Sequence, residues 1–333
     1  MRKKVLIIRL SSLGDVVLST SVPRVLKDKF DIYFLTKKEF SQILEDIPYI
    51  NILSFNGTSD LLRLIKTIRN INPDYILDLQ GKILTFIIRK TFDPSGKKTF
   101  IWDSQRFERR KAIFLKNFSS VKHMIFRFLE PAILILEKEG IRLNINSQED
   151  ILPKIFPPQR PEKDDIIRLV NTVVVAPESR WKTKTWNFSE CNKFIEYLER
   201  NGFNVVVVGK DSKNSEIFSG SVKLFGNISL RDLKYIVSKA LCVVSVDSAI
   251  SHISSALRVP TISVFTSSDP QMGFYPTGSR VVMRENLRCR PCSLHGRDKC
   301  PAGHWLCTFV DHRKVSEIFF EVLRKSEINK KEN

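Results

Sequence analysis

Val243-Val244-Ser245-Val246-Asp247-Ser248-Ala249-Ile250-Ser251-His252-Ile253-Ser254-Ser255-Ala256-Leu257 is the stretch whose reading decides the fold. It opens as a β-branched run, Cys242 to Val246, the composition of a strand buried on both faces of a parallel sheet. It turns through Asp247-Ser248, both helix-capping residues, into a helix of small residues. In an open α/β sheet the carboxyl end of a strand is where ligands bind. The first N–H groups of such a helix, from Ser248 to Ile250, point into the crevice at the positive end of the helix dipole and suit a phosphate. Ser248, Ala249 and Ser251 are small enough to let a phosphate reach the backbone. Asp247 would repel a phosphate and suits sugar hydroxyls instead. A plain strand–cap–helix junction accounts for the same residues with no ligand at all.

Around this stretch the chain repeats one rhythm. Strand-like runs at residues 3–10, Ile32–Thr36, Ile50–Phe55, Tyr75–Leu79 and Lys98–Trp102 alternate with helical patterns such as Leu61–Asn70 and Ile83–Lys90. The rhythm restarts at Thr172–Ala176, Val205–Gly209, Leu241–Val246 and Thr261–Phe265. The predicted class is therefore α/β, with mostly parallel sheets covered by helices. Between the halves, Pro153, Pro157, Pro158 and Pro161 mark an interdomain connection. The expected division is 1–155, a linker over 156–170, and 171–326, with a cleft between two domains of similar size. Val315–Lys325 has helical periodicity, and its expected place is back across the cleft on the first domain.

The 333 residues carry 42% apolar and 27% charged side chains, ordinary for a soluble globular chain. No apolar run reaches the roughly 18–20 residues that span a bilayer. The opening run stops at Arg9 and Asp15 without a small-residue cleavage site, so it reads as a first strand and predicts a cytoplasmic protein. The net charge is +18, which draws polyanions. Gln80 to Arg127 holds twelve Lys/Arg against three Asp/Glu, the whole surplus of residues 1–150. Phe107, Phe114, Phe118, Phe126 and Phe128 interleave with those cations. That mixture fits nucleic acid, an interfacial segment on an anionic membrane, or aromatic core beneath a solvated basic face.

Three loops carry candidate chemistry. Arg9-Leu10-Ser11-Ser12-Leu13-Gly14-Asp15 follows the first strand; Gly14 permits φ > 0 or a close ligand. Asp15 is either a first-turn carboxylate or a general base for a bound hydroxyl. The three-glycine dinucleotide spacing is absent, and so is a P-loop Gly-Lys-Ser/Thr. Asp78-Leu79-Gln80-Gly81-Lys82 ends another strand at the same edge. In the back half, Arg180, Lys182 and Lys184 at a strand end are placed for an anion, with Trp181 and Trp186 beside it. Thr266-Ser267-Ser268-Asp269-Pro270 offers hydroxyls to phosphate or ribose, or is no more than a turn.

Taken in order, Ile7-Ile8-Arg9-Leu10-Ser11-Ser12-Leu13-Gly14-Asp15, Asp78-Leu79-Gln80-Gly81, Lys184-Thr185-Trp186, Val246-Asp247-Ser248-Ala249 with His252, and Asp269-Pro270 make the chain resemble glycosyltransferase family 9, the lipopolysaccharide-core heptosyltransferases, along nearly its whole length. The resemblance implies the GT-B architecture, two Rossmann-like domains facing across a cleft, and inverting transfer of a heptose from an ADP-heptose donor to an anionic glycolipid acceptor. By resemblance, Asp15 is the catalytic base, Lys184 binds the donor phosphates, and Asp247 holds the donor sugar. The backbone of Ser248 and Ala249 cradles the pyrophosphate, and His252 belongs to the donor side. Ser12, Gly14, Gln80, Lys82, Arg106, Arg109 and Arg110 are the candidate acceptor contacts. No metal or cofactor beyond the nucleotide sugar is expected, nor nucleic acid; peripheral contact with the inner face of the cytoplasmic membrane is. Thr266 stands where many members have Gly, which predicts a crowded or re-aimed loop. The competing reading is a non-catalytic basic protein that binds anionic polymer or membrane, which needs neither Asp15 nor Asp247.

Cys289-x2-Cys292-x7-Cys300-x6-Cys307 is a compact cluster enclosing His295 and His304. Structural zinc, disulfides and free thiols all remain compatible with that spacing. Cys191 and Cys242 read as ordinary buried thiols.

Overall fold

The computed structural model describes residues 2–331 apart from Asn146, Ser221 and Asn227. The chain divides into two compact units: Met1–Ser104 with Lys122–Phe156, and Gln105–Val121 with Pro157–Asn333. Each unit carries one wholly parallel sheet.

The first unit begins with β1 (Lys3–Ile8), α1 (Leu13–Leu18), α2 (Ser21–Leu26), β2 (Phe30–Lys37), α3 (Lys38–Ser41) and β3 (Asn51–Phe55). It continues through α4 (Leu61–Ile71), β4 (Tyr75–Asp78), α5 (Ile83–Phe92) and β5 (Thr99–Ile101). The chain then makes α6 (Arg106–Leu115), which belongs to the second unit, and returns with α7 (Met124–Lys138). The sheet order is β3-β2-β1-β4-β5. Val5 to Ile8 are wholly buried, as the central strand of a sheet covered on both faces must be. Because β1 lies between β2 and β4, strand order reverses there, and the loops after β1 and β4 part at a topological switch point.

The second unit runs β6 (Val173–Ala176), α8 (Phe188–Arg200), β7 (Val205–Gly209), β8 (Val222–Phe225), α9 (Leu230–Lys239) and β9 (Cys242–Val246). It ends with α10 (Ala249–Ala256), β10 (Thr261–Phe265), β11 (Arg280–Met283) and α11 (His312–Lys331). Its sheet order, β11-β10-β9-β6-β7-β8, is the doubly wound order with the switch between β6 and β9. The β-branched run of β9 is buried along its whole length, with Val175 beside Val244 and Ala176 beside Ser245.

Four expectations change. Residues 105–121, with Arg106, Arg109 and Arg110, belong to the second unit rather than the first. The Pro-rich segment is docked rather than free: the Asp232 carboxylate accepts the backbone N–H of Glu162 at 2.6 Å and Lys163 at 3.3 Å, and Ile166 is buried. The apolar face of α11, Val315 and Phe319, fills the core of its own unit against α8 and Trp186, a place that its periodicity alone did not give. Of the interleaved phenylalanines, Phe128 is core, but Phe107, Phe114 and Phe126 are exposed.

Candidate active site

In the first unit the loops after β1 and β4 lock together. Gln80 Oε1 accepts the backbone N–H groups of Leu10 at 3.0 Å and Ser11 at 3.1 Å. Asp78 Oδ1 accepts those of Gln80 and Gly81, both at 2.9 Å, and Asp78 Oδ2 meets Arg89 Nε at 2.9 Å. Gln80 is therefore a buried clamp that positions the β1 loop, not a free acceptor contact. Lys82 is exposed at the start of α5. Gly14 lies inside α1 and is not among the left-handed residues, so its permitted φ > 0 is not used.

The clamped loop presents Asp15. Its Oδ2 takes Arg9 Nη2 at 2.6 Å, the Ser12 hydroxyl at 2.9 Å and the Ser12 N–H at 3.1 Å. Its Oδ1 is buried with no hydrogen-bond partner. Burial pushes the Asp15 carboxyl up, but the Arg9 charge and the Ser12 hydrogen bonds more than offset this and hold it below the ordinary value. Arg9 is itself fixed from below: it donates to the Leu79 carbonyl and lies over Trp102 at 5.2 Å and Phe128 at 5.1 Å. Asp15 is thus an oriented anion with one oxygen committed and one buried without a partner. Arg9 is the functional neighbour the sequence reading passed over. Its signal was a charge placed directly after four fully buried apolar residues, where only a paired side chain is tolerated.

In the second unit the loops after β6 and β9 meet at the switch point. Lys184 Nζ lies 2.7 Å from Asp247 Oδ2, with the two side chains 14% and 10% exposed. Burial pushes the Asp247 carboxyl up. The Lys184 ammonium, helped by the nearby Ser268 hydroxyl and the field of His252, holds it below the ordinary range. Lys184 and Asp247, given separate partners by the sequence reading, are each other's partner. The ammonium has three protons, so holding Asp247 leaves it able to donate elsewhere.

Ser248 caps α10. Its hydroxyl accepts the Ile250 N–H at 3.3 Å and bonds the Ser245 hydroxyl at 3.0 Å, so Ile250 is removed from the amides expected to face a ligand. Ser248 and Ala249 are partly exposed, and His252 is buried. Trp186 is core, its indole N–H donating to Val310 at 2.9 Å, so it does not flank an anion. The hydroxyl-rich loop after β10 is also committed. Thr266 donates to the Thr183 carbonyl at 2.9 Å and Ser267 to the Thr183 hydroxyl at 3.0 Å, while the buried Ser268 hydroxyl has no partner at hydrogen-bond distance. Thr266 thereby ties this loop to the residue before Lys184.

Of the α6 arginines, Arg109 is buried and stacked over Phe274 at 4.9 Å, which corrects its expected acceptor role. Arg106 and Arg110 are exposed. The His/Cys/Asp/Glu group whose ligand atoms all lie within 4.8 Å of one another, among the described residues, is Glu190, Asp311 and His312. Glu190 already takes Lys193 at 2.7 Å, the His312 ring Nδ1 at 2.9 Å and the His312 backbone N–H at 3.1 Å, so it reads as the anchor of α11 rather than a metal site. No helix among the described residues is long and apolar enough to cross a membrane.

Two parallel α/β units, each gathering paired charges at its switch point, define an enzyme of the GT-B glycosyltransferase class. The chain belongs to glycosyltransferase family 9 (heptosyltransferase), whose sequence model matches residues 61–305. It is 26% identical over 284 residues to lipopolysaccharide heptosyltransferase 3 of Escherichia coli K12, covering 77% of this chain and 80% of that protein. It is 21% identical to lipopolysaccharide heptosyltransferase 1 of Campylobacter coli, covering 84% and 89%. Among solved structures, E. coli ADP-heptose lps heptosyltransferase II matches with a TM-score of 0.69 at 14% identity, over 97% of this chain and 99% of that one.

Proposed function

We propose that this enzyme transfers a heptose from ADP-heptose to a hydroxyl of a lipopolysaccharide core acceptor, with inversion at the anomeric carbon. The observation that carries the donor assignment is the Lys184–Asp247 pair beside the cap of α10. Lys184 and the α10 amides stabilise the charge that develops on the leaving diphosphate. Asp247 accepts hydrogen bonds from the heptose hydroxyls. The structures of E. coli heptosyltransferase WaaC with ADP and with ADP-2-deoxy-2-fluoro heptose share this fold, with TM-scores of 0.64, which supports an ADP-linked donor.

Asp15 is the base. It removes the proton of the acceptor hydroxyl as that oxygen bonds the anomeric carbon and the bond to the diphosphate breaks. A carboxylate held below its ordinary range is a weak base towards a free alcohol. Proton transfer is therefore late, after C–O bond formation has made the hydroxyl acidic. Arg9 keeps Asp15 ionised and oriented until then.

The acceptor is a glycolipid. On α5, Ile83, Phe86 and Ile87 are exposed on one face between Lys82 and Lys90; an apolar stripe bordered by lysines suits the headgroup region of an anionic bilayer. Thermal-shift measurements with ADP-, UDP- and GDP-linked sugars test the donor: ADP-heptose is expected to stabilise the protein most. Stabilisation by a UDP- or GDP-sugar, with none from ADP-heptose, overturns the assignment.

A further inference from the structure

Most cations near the donor half-site are already engaged: Lys184 holds Asp247, Arg109 lies over Phe274, and Lys116 Nζ donates to the Pro291 carbonyl at 2.8 Å. Arg110, Arg297 and Lys299 differ. All three are exposed, and among the described residues their side chains form no hydrogen bond or ion pair. They meet in one groove of the second unit, of about 700 Å³, whose lining also includes Trp181, Ile113 and the acid Asp298. That volume is in the range of small-molecule sites, about 300–1,000 Å³. Like charges gathered in one concavity repel each other and concentrate anions there.

Both walls of the groove are fixed. One is α6, pinned through Arg109 on Phe274 and Lys116 on Pro291. The other is the segment 292–299. Thr183 donates its N–H to the Arg297 carbonyl at 3.0 Å, the Arg297 N–H returns to the Thr183 hydroxyl at 2.8 Å, and the Ser293 hydroxyl accepts the Gly296 N–H at 2.9 Å. Gly296, at φ +99, packs so closely that a Cβ would lie 2.7 Å from Trp181 Cβ and 3.0 Å from Lys184 Cδ. The groove therefore runs directly alongside the donor lysine.

We propose that this groove binds an acidic sugar of the acceptor, one bearing a phosphate or a carboxylate, with Arg110, Arg297 and Lys299 on the acidic group and Trp181 and Ile113 against the ring. The inference rests on the reading of this enzyme as a transferase to a core saccharide. Guanidinium groups take phosphate and carboxylate through paired N–H donors, and an indole offers a large apolar face to the C–H side of a sugar. The donor diphosphate does not call for these cations, because Lys184 and the α10 amides already meet its charge. An extended nucleic-acid backbone does not fit either: it takes a long cationic track with a series of stacking rings, and this groove is short with one indole.

The test is calorimetric titration of the intact enzyme with a deacylated, phosphorylated core oligosaccharide. Arg297→Ala/Lys299→Ala is expected to weaken that binding about 10- to 100-fold, the loss of one or two charge-assisted contacts, with ADP affinity and Tm as in the parent. Arg297→Lys/Lys299→Arg is expected to keep most of the affinity. In turnover the acceptor KM of the alanine variant rises by the same factor while kcat and the donor KM hold. Enzymatic removal of the phosphate, against chemical reduction of the carboxylates, identifies the group: the treatment that abolishes the effect of the alanine variant names it. No binding by the parent, equal binding by the alanine variant, or equal affinity for inorganic phosphate or a single-stranded oligonucleotide overturns the proposal. Failure of the transferase reading shows separately, as groove-dependent saccharide binding without transfer from ADP-heptose.

Discussion

Replacing Lys184 with Met removes an ammonium 2.7 Å from a carboxylate that is 10% exposed. Breaking a buried pair from one side costs about 3–5 kcal/mol, because the remaining charge is left uncompensated. Here Ser268 and His252 remain beside Asp247, which brings the expected loss to about 2–3 kcal/mol. For a unit of this size each kcal/mol lowers Tm by about 2–4 °C, so a drop of about 5–10 °C is expected. Adding Asp247→Asn removes the stranded charge and should restore most of that loss. The pH dependence follows from the same pair. With Lys184 present the folded pKa of Asp247 is depressed, so its stabilisation is present above the ordinary carboxylate range and fades as pH falls through the folded value. Without Lys184 burial raises it, so the deficit of the single variant is largest at neutral pH and shrinks in acid. Calorimetric titration with ADP separates stability from binding. Both variants lack the charge-assisted contact, worth about 1.5–3 kcal/mol, and should bind ADP about 10- to 100-fold more weakly. A single variant that melts within about 1 °C of the parent, or binds ADP as the parent does, refutes this reasoning.

Arg9→Met leaves Asp15 buried without its cation; the carboxyl then rises, and the acid limb of the kcat/KM–pH profile should move to higher pH, an unmoved limb counting against the pairing. Gly296→Ala puts a methyl group against Trp181 and Lys184 at a left-handed backbone position; donor KM should rise several-fold with a smaller change in kcat, and unchanged kinetics would separate that loop from the site. Glu190→Gln tests the anchor of α11. The Glu190 carboxyl, pushed up by burial, is pulled down further by Lys193 and His312, to about 2 from 4.5; its stabilisation is therefore full above the ordinary value and lost as pH falls towards 2. Allowing for partial solvent screening this is worth about 1–2 kcal/mol, and urea unfolding at pH 7 against pH 3 should show the variant's deficit shrink at the lower pH.

The fold class was readable because both sheets are parallel and buried on both faces, so strands such as Val205–Val208 and Val173–Ala176 stand out as unbroken apolar runs. The edge strands β8 and β11 were not readable, being short, half-exposed and unmarked in composition. Asp15, Lys184 and Asp247 were legible as charged residues at strand ends. That Lys184 and Asp247 pair with each other was not, because 63 positions separate them and only the β6–β9 adjacency brings their loops together. Arg109 misled because a basic run carries no mark of which cation is stacked on an aromatic ring. The hydroxyls of Thr266 and Ser267 misled for a related reason: a polar loop serves ligands or its own neighbours, and composition does not separate the two.

The central claim is that Asp15 takes the acceptor proton while the Lys184–Asp247 half-site holds the donor. The most direct measurement is ADP release from ADP-heptose in the presence and absence of a heptose-accepting core glycolipid, for the parent and for Asp15→Asn. The account predicts acceptor-dependent release by the parent, a fall in kcat of about 10²- to 10⁴-fold in Asp15→Asn, and unchanged ADP affinity in that variant. Turnover of Asp15→Asn at the parental rate, or release that ignores the acceptor, would contradict it.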